Sequence, residues 1–128
     1  NLRNKKILIM GVSYKEDVGD TRHSPTEILF KKLRKNKSIV SVHDPIVPFW
    51  DELKIKVLKS YPNINLFDAI IFTVKHGDYR KINFRKWNTK KRLVVDSNNV
   101  LSEKQHRILK NKKFNVISIG RGHSWSGF

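Results

Sequence analysis

The side chains best suited to chemistry crowd one short stretch, Val12 to His23, which carries Tyr14, Lys15, Glu16, Asp17, Asp20 and Arg22. Lysine and arginine suit a phosphate or carboxylate ligand, and Tyr14 adds a ring face and a hydroxyl for hydrogen bonding. The acids Glu16, Asp17 and Asp20 could suggest Mg²⁺, but the cations beside them favour pairing within the loop. In the plainest version Arg22 bridges Asp17 and Asp20 and holds the loop together. Asp20 and Thr21 are therefore assigned first to loop support, Lys15 and Arg22 first to binding.

Two elements must position this stretch. Lys6 to Gly11 is a short apolar run ending in glycine, the pattern of a strand buried on both faces. Ser24-Pro25-Thr26-Glu27 then reads as a capping box with proline at the first helical position, opening a helix from Pro25 to about Lys35. Ile28, Leu29 and Leu33 are expected to face inward, and Lys31, Lys32 and Arg34 to face water. The connection between strand and helix exceeds the usual few residues. In α/β proteins, anions bind at such loops, where a strand ends beside free helix N–H groups. A dinucleotide fingerprint is excluded, because Ser13 and Glu16 stand where G-x-G-x-x-G needs its second and third glycines. The next strand-ending acid, Asp44, lies 44 − 11 = 33 residues past Gly11, beyond the roughly 20 expected of a ribose-binding carboxylate.

The remaining chain alternates strands and helices. Strands are expected at Ile39–His43, Asp68–Val74, Arg92–Ser97 and Val116–Ile119, with Asp44-Pro45 stopping the first of these at a turn. Phe49, Leu53, Val57 and Tyr61 recur every fourth residue and predict a helix from Pro48 to Tyr61. Tyr79, Ile82, Phe84 and Trp87 suggest a short helix or turn covering the sheet, and Ser102-Glu-Lys-Gln105 a second capping box for a helix to about Asn111. Gly120 to Phe128 is glycine-rich and is expected to be mobile beyond His123. The pattern calls for an α/β, Rossmann-like three-layer domain with a mainly parallel five- or six-stranded sheet. The favoured strand order is 3-2-1-4-5, with the loops after the first, third and fourth strands on one rim.

A length of 128 residues suits one domain spanning 1–128, and there is no apolar run long enough for a membrane span and no signal-like start, so a soluble cytoplasmic protein is expected. The chain opens on Asn1 rather than methionine, which suits an excised or processed fragment. Cysteine is absent, excluding disulfides, thiolate metal sites and a cysteine nucleophile on this chain. The 27 basic against 11 acidic residues give a charge of +16, which raises nucleic acid or another polyanion as a partner. These charges are scattered with no continuous basic arm, so a solvated basic surface that attracts nucleotide phosphates is preferred over nucleic-acid binding. His23, His43, His76, His106 and His123 show no metal-ligand spacing and are assigned surface or packing roles. Asp44 is assigned to bracing the loops, and Trp50, Trp87 and Trp125 to packing.

Gly11-Val-Ser-Tyr-Lys15, Asp20-Thr-Arg-His-Ser-Pro25, Val42-His-Asp-Pro45, Thr73-Val-Lys-His76, Asp96-Ser-Asn-Asn-Val-Leu101 and Gly120 occur in that order along nearly the whole chain. Together they resemble the C-terminal domain of the UDP-glucose/GDP-mannose dehydrogenases, the nucleotide-sugar 6-dehydrogenases. The resemblance implies that Tyr14 and Lys15 contact a UDP-sugar and that Arg22 reaches toward NAD held by an adjoining domain. Asp17, Asp20, Thr21, Ser24 and Asp44 are then loop support. Many relatives carry arginine near the position of Asn98; an amide there can bond uracil, ribose or phosphate but brings no charge, and otherwise Asn98 and Asn99 simply make a turn. In a complete enzyme of this kind, the resemblance implies two NAD-dependent oxidations of a sugar C6 alcohol to a carboxylate through a catalytic cysteine. This chain, with neither cysteine nor fingerprint, corresponds to the substrate-binding part and is not expected to catalyse alone. The NAD-binding N-terminal domain and a homo-oligomeric partner are expected from the rest of such an enzyme.

Overall fold

The computed structural model describes residues 1–87 and 92–119. Its centre is a five-stranded parallel sheet built from β1 (Lys6–Met10), β2 (Ile39–His43), β5 (Ala69–Phe72), β6 (Leu93–Asp96) and β7 (Asn115–Ser118); β3 (Phe49–Trp50) and β4 (Ile55–Lys56) pair separately. Alternation along the strands divides the core in two. Ile7, Ile9, Ile71 and Val95 face α1 (Thr26–Lys35), while Leu8, Met10, Ile70, Phe72 and Val94 face the layer of α2 (Gly77–Arg80) and α3 (Glu103–Asn111). Leu29, Phe30 and Leu33 close the first layer, Tyr79, Phe84, Leu101 and Leu109 the second. The α/β class, the three layers and the parallel sheet are thus those expected from the sequence.

The order along the sheet is β2-β1-β5-β6-β7. The third sheet strand in sequence, Ala69–Phe72, therefore lies between the first and fourth, not at the outer edge where the order 3-2-1-4-5 puts it. Burial explains the arrangement. All four residues of Ala69–Phe72 are buried and need neighbours on both sides, whereas Ile39–His43 is half open at its start and tolerates the edge. The consequence for the site is direct: the crevice where connections leave to opposite faces falls between β1 and β5, bringing the loop after Phe72 against the loop after Met10.

Three local expectations change. Pro48–Tyr61 is not a helix but contains the antiparallel hairpin of β3 and β4. Tertiary pairing overrides the four-residue spacing: Leu58 donates to Val42 O and accepts from the Asp44 N–H, while Trp50 fills the core beside Phe30. At α1 the expected capping box does not form. Ser24 Oγ accepts the Thr26 N–H at 3.3 Å, but Glu27 pairs forward with Lys31 at 2.8 Å instead of reaching back. Ile28 is 76% exposed, because Thr26, Leu29, Phe30 and Leu33 form the buried face.

The second capping box is complete, Ser102 Oγ accepting the Gln105 N–H and Gln105 Oε1 the Ser102 N–H. Replacing Ser102 by alanine should lower stability by about 1 kcal/mol, read as a shift in urea midpoint at constant slope. The glycine-rich tail from Gly120, with His123 and Trp125, lies outside the described residues.

Candidate functional site

The long loop after β1 is held from beneath by Asp44, which is wholly buried. One carboxylate oxygen accepts the N–H groups of Val12 (2.9 Å) and Ser13 (3.2 Å) and the Nε2 of His76 (2.8 Å); the other accepts those of Ile46 (2.9 Å) and Val47 (3.1 Å). Burial pushes the Asp44 carboxyl up, but the His76 ring and the Val12 and Ile46 amides outweigh it and hold it below the usual carboxylate range. Asp44 thus braces the loop, as its sequence position suggested.

His76 is buried on the other side of this carboxylate. Its Nδ1 accepts the Asp17 N–H at 2.9 Å, which places the ring proton on Nε2, shared between Asp44 and Ser13 Oγ (3.0 Å). Ser13 Oγ donates in turn to Lys15 O at 2.9 Å. Asp17, at φ 59°, turns its carboxylate to the Gly77 N–H. Further along, Tyr14 N–H bonds to Asp20 O, and the buried Thr21 donates its hydroxyl to Glu52.

Among the described residues Arg22 pairs with Asp20 alone, Nε lying 3.2 and 3.1 Å from its two oxygens and Nη2 2.8 Å from one. The expected bridge to Asp17 is absent, because Asp17 faces α2. Hydrogen bonds from the Arg22 side chain and amide lower the Asp20 carboxyl to about 2, and that carboxylate raises the guanidinium in return. The pair is exposed and screened, so it orders the arginine more than it stabilises the fold.

These contacts leave open recesses at the carboxyl rim. Tyr14, half exposed, lines an open recess of about 370 Å³ with Asp20, Arg22 and His23. A smaller cleft of about 200 Å³, at the switch point, is lined by Pro25, Thr26, Leu29, Thr73, Ser97 and Asn98. Lys15 is exposed and its side chain makes no ion pair among the described residues. The sequence-predicted residues therefore share the rim but not one cavity: Tyr14 and Arg22 meet, Asn98 stands in the second cleft, and Lys15 projects outside both.

Asn98 donates Nδ2 to Thr73 O at 3.3 Å, and the turn around it is built by Asp96. Asp96 accepts from Val100 N–H (2.7 Å), Leu101 N–H (2.9 Å) and His106 Nε2 (2.8 Å), repeating the Asp44–His76 arrangement at the end of β6. Sequence reasoning gave no role to Asp96, Ser13 or Thr73 and only a surface or packing role to His76. The available signal for Asp96 was an aspartate closing an apolar strand before a turn, as Asp44 does.

A nicotinamide dinucleotide does not fit the β1 turn of this chain. The Val12 and Ser13 amides, which a pyrophosphate would need, are occupied by Asp44, and a Cβ at Gly11 would lie within 2.9 Å of Val74, so the turn faces protein. No group of three potential metal ligands occurs among the described residues. No helix among them is long and apolar enough to cross a membrane.

Comparison with known proteins finds similarity in both sequence and fold. The chain is 32% identical over 129 residues to the UDP-N-acetyl-D-mannosamine dehydrogenase of Methanococcus aeolicus, covering 95% of this chain but 28% of that protein. It is 40% identical over 47 residues to UDP-glucose 6-dehydrogenase 2 of Arabidopsis thaliana, covering 37% of this chain and 10% of that one. In fold it matches the NDP-N-acetyl-D-galactosaminuronic acid dehydrogenase of Methanosarcina mazei, with TM-score 0.69 and 22% identity over 94% of this chain and 25% of that one. The chain thus spans about a quarter of the length of these two relatives, which it matches over nearly its whole length. Residues 8–103, from within β1 to the start of α3, fit the model of the UDP binding domain of the UDP-glucose/GDP-mannose dehydrogenase family, and the chain belongs to that family.

Proposed function

We propose that the carboxyl rim of this sheet binds the UDP moiety of a nucleotide-sugar, with Tyr14, Lys15 and Asn98 as contacts, and that the chain acts as the substrate-binding part of an NAD-dependent 6-dehydrogenase. The observation that carries this reading is the exposed Tyr14–Lys15 pair on a loop whose backbone is fixed from below, beside the β1–β5 switch point. Lys15 supplies a point charge for the diphosphate, Tyr14 a ring face and hydroxyl, and Asn98 neutral hydrogen bonds. Arg22, oriented by Asp20, reaches toward the cofactor of a separate N-terminal domain. The residues here would hold and orient the nucleotide, and NAD held by that domain would supply hydride-accepting chemistry. Catalysis, homo-oligomer formation and a cytoplasmic setting belong to the complete enzyme.

With only part of the pocket wall, the 128-residue chain should bind UDP with a dissociation constant of about 1 mM, near −4 kcal/mol. An NMR titration with UDP should shift the amides of Tyr14, Lys15 and Asn98. Lys15→Ala removes a charge-assisted phosphate contact of about 1.5–3 kcal/mol and should abolish saturation in the accessible range. Silent amides at these positions would refute the reading. Duplex DNA bound instead, with steep loss on adding salt, would favour a polyanion-binding module.

A further inference from the structure

We propose that His76 is the positioning residue of the Tyr14–Lys15 loop, holding it in one conformation through its Nε2–H tautomer. The consequence for affinity rests on the UDP-site reading above; the positional claim does not. A single buried imidazole engages the loop at its backbone and its brace together. Nδ1 accepts the Asp17 N–H (2.9 Å), and Nε2 faces both Asp44 Oδ2 (2.8 Å) and Ser13 Oγ (3.0 Å). Ser13 carries the constraint on to Lys15 O (2.9 Å). The backbone is therefore anchored at residues 13, 15 and 17, while Tyr14 and Lys15 keep their side chains exposed between the anchors.

Directionality makes histidine specific here. The Asp17 amide can only donate, so Nδ1 must accept, and the buried Asp44 carboxylate can only accept, so Nε2 must carry hydrogen. The ring is locked by its own packing, edge-on to Tyr79 with centroids 5.6 Å apart. No amide side chain reproduces both bonds: a glutamine in place of His76 could donate to Asp44 but would leave the Asp17 amide unpaired, and an asparagine could accept from Asp17 but would fall short of Asp44. A loop freed in this way must be ordered by the ligand on binding, which weakens affinity without removing any ligand contact.

The test uses the isotopically labelled 128-residue chain, with His76→Gln and His76→Asn, and UDP as the probe. In the unsubstituted chain, long-range nitrogen–proton imidazole spectra should show His76 as a single Nε2–H tautomer. Each variant should keep the amide shifts of β1 and β5 and weaken UDP binding about tenfold, and His76→Gln should speed hydrogen exchange at Asp17 by at least tenfold. An Nδ1–H tautomer overturns the proposal without any variant being needed. So do variants that fold and retain both Asp17 protection and UDP affinity. Should the parent chain show the tautomer and the exchange effect but no UDP binding, the positioning role stands and the UDP reading falls.

Discussion

Replacing Asp44 by alanine should destabilise the domain by about 3–5 kcal/mol, a large part of the roughly 5–15 kcal/mol that holds a typical domain folded. The carboxylate is wholly buried and accepts from four backbone amides and the His76 ring. Truncation leaves the four amides without their acceptor and His76 Nε2 with Ser13 Oγ as its remaining partner. Asp44→Asn should cost less than alanine but still more than about 1 kcal/mol, since its NH₂ must face at least one donor. Urea denaturation measures both. The pH dependence has a definite sign: the folded carboxyl titrates below its unfolded value, so its contribution is fully present above the unfolded value near 4 and lost as pH falls through the folded one. The stability gap between the parent chain and Asp44→Asn should be flat above about pH 5 and shrink in acid. A gap that widened in acid would contradict a depressed Asp44.

What was legible in the sequence was whatever local pattern decides. The runs Lys6 to Gly11 and Asp68 to Val74 read as buried parallel strands because both faces are apolar, and they contain β1 and β5; Ser102 with Gln105 read as a complete cap because a box closes within four residues. The exposed pair at Tyr14 and Lys15 was equally visible. What pairing over long separations decides was not. The spacing of Phe49, Leu53, Val57 and Tyr61 satisfies a helix, yet Leu58 is drawn against Val42 and Asp44 and the segment becomes a hairpin. Strand order depends on crossovers that leave no local trace, and it is the placing of β5 beside β1 that carries His76 to partners 32 and 59 residues away. Asn98 shows a further limit. Its side chain bonds Thr73 O as a turn residue would and also lines the switch-point cleft, so residue type alone did not separate the two roles.

Gly11→Ala should be nearly as damaging, at about 3–5 kcal/mol, although it adds only one methyl group. Gly11 sits at φ 114°, a conformation that costs an L side chain about 1–3 kcal/mol. Its new Cβ would also meet Val74 Cβ at 2.7 Å, Cγ2 at 2.8 Å and the backbone N at 2.9 Å. A rotamer change could move Cγ2 but not the other two atoms, so overpacking adds about 1–3 kcal/mol. Retreat is blocked on the other side: the Gly11 N–H donates to His43 O at 2.7 Å, and its carbonyl accepts the hydroxyls of Thr26 and Thr73. The strain must therefore open the β1–β5 junction, pulling the Val12 and Ser13 amides from Asp44. That shared junction makes the two substitutions non-independent. In a cycle of Gly11→Ala, Asp44→Asn and the double variant, followed by urea denaturation, the double should cost at least about 1 kcal/mol less than the sum of the singles. Strict additivity would mean that Gly11 and Asp44 support separate structures, and that the loop bearing Tyr14 and Lys15 does not depend on how closely β5 approaches β1.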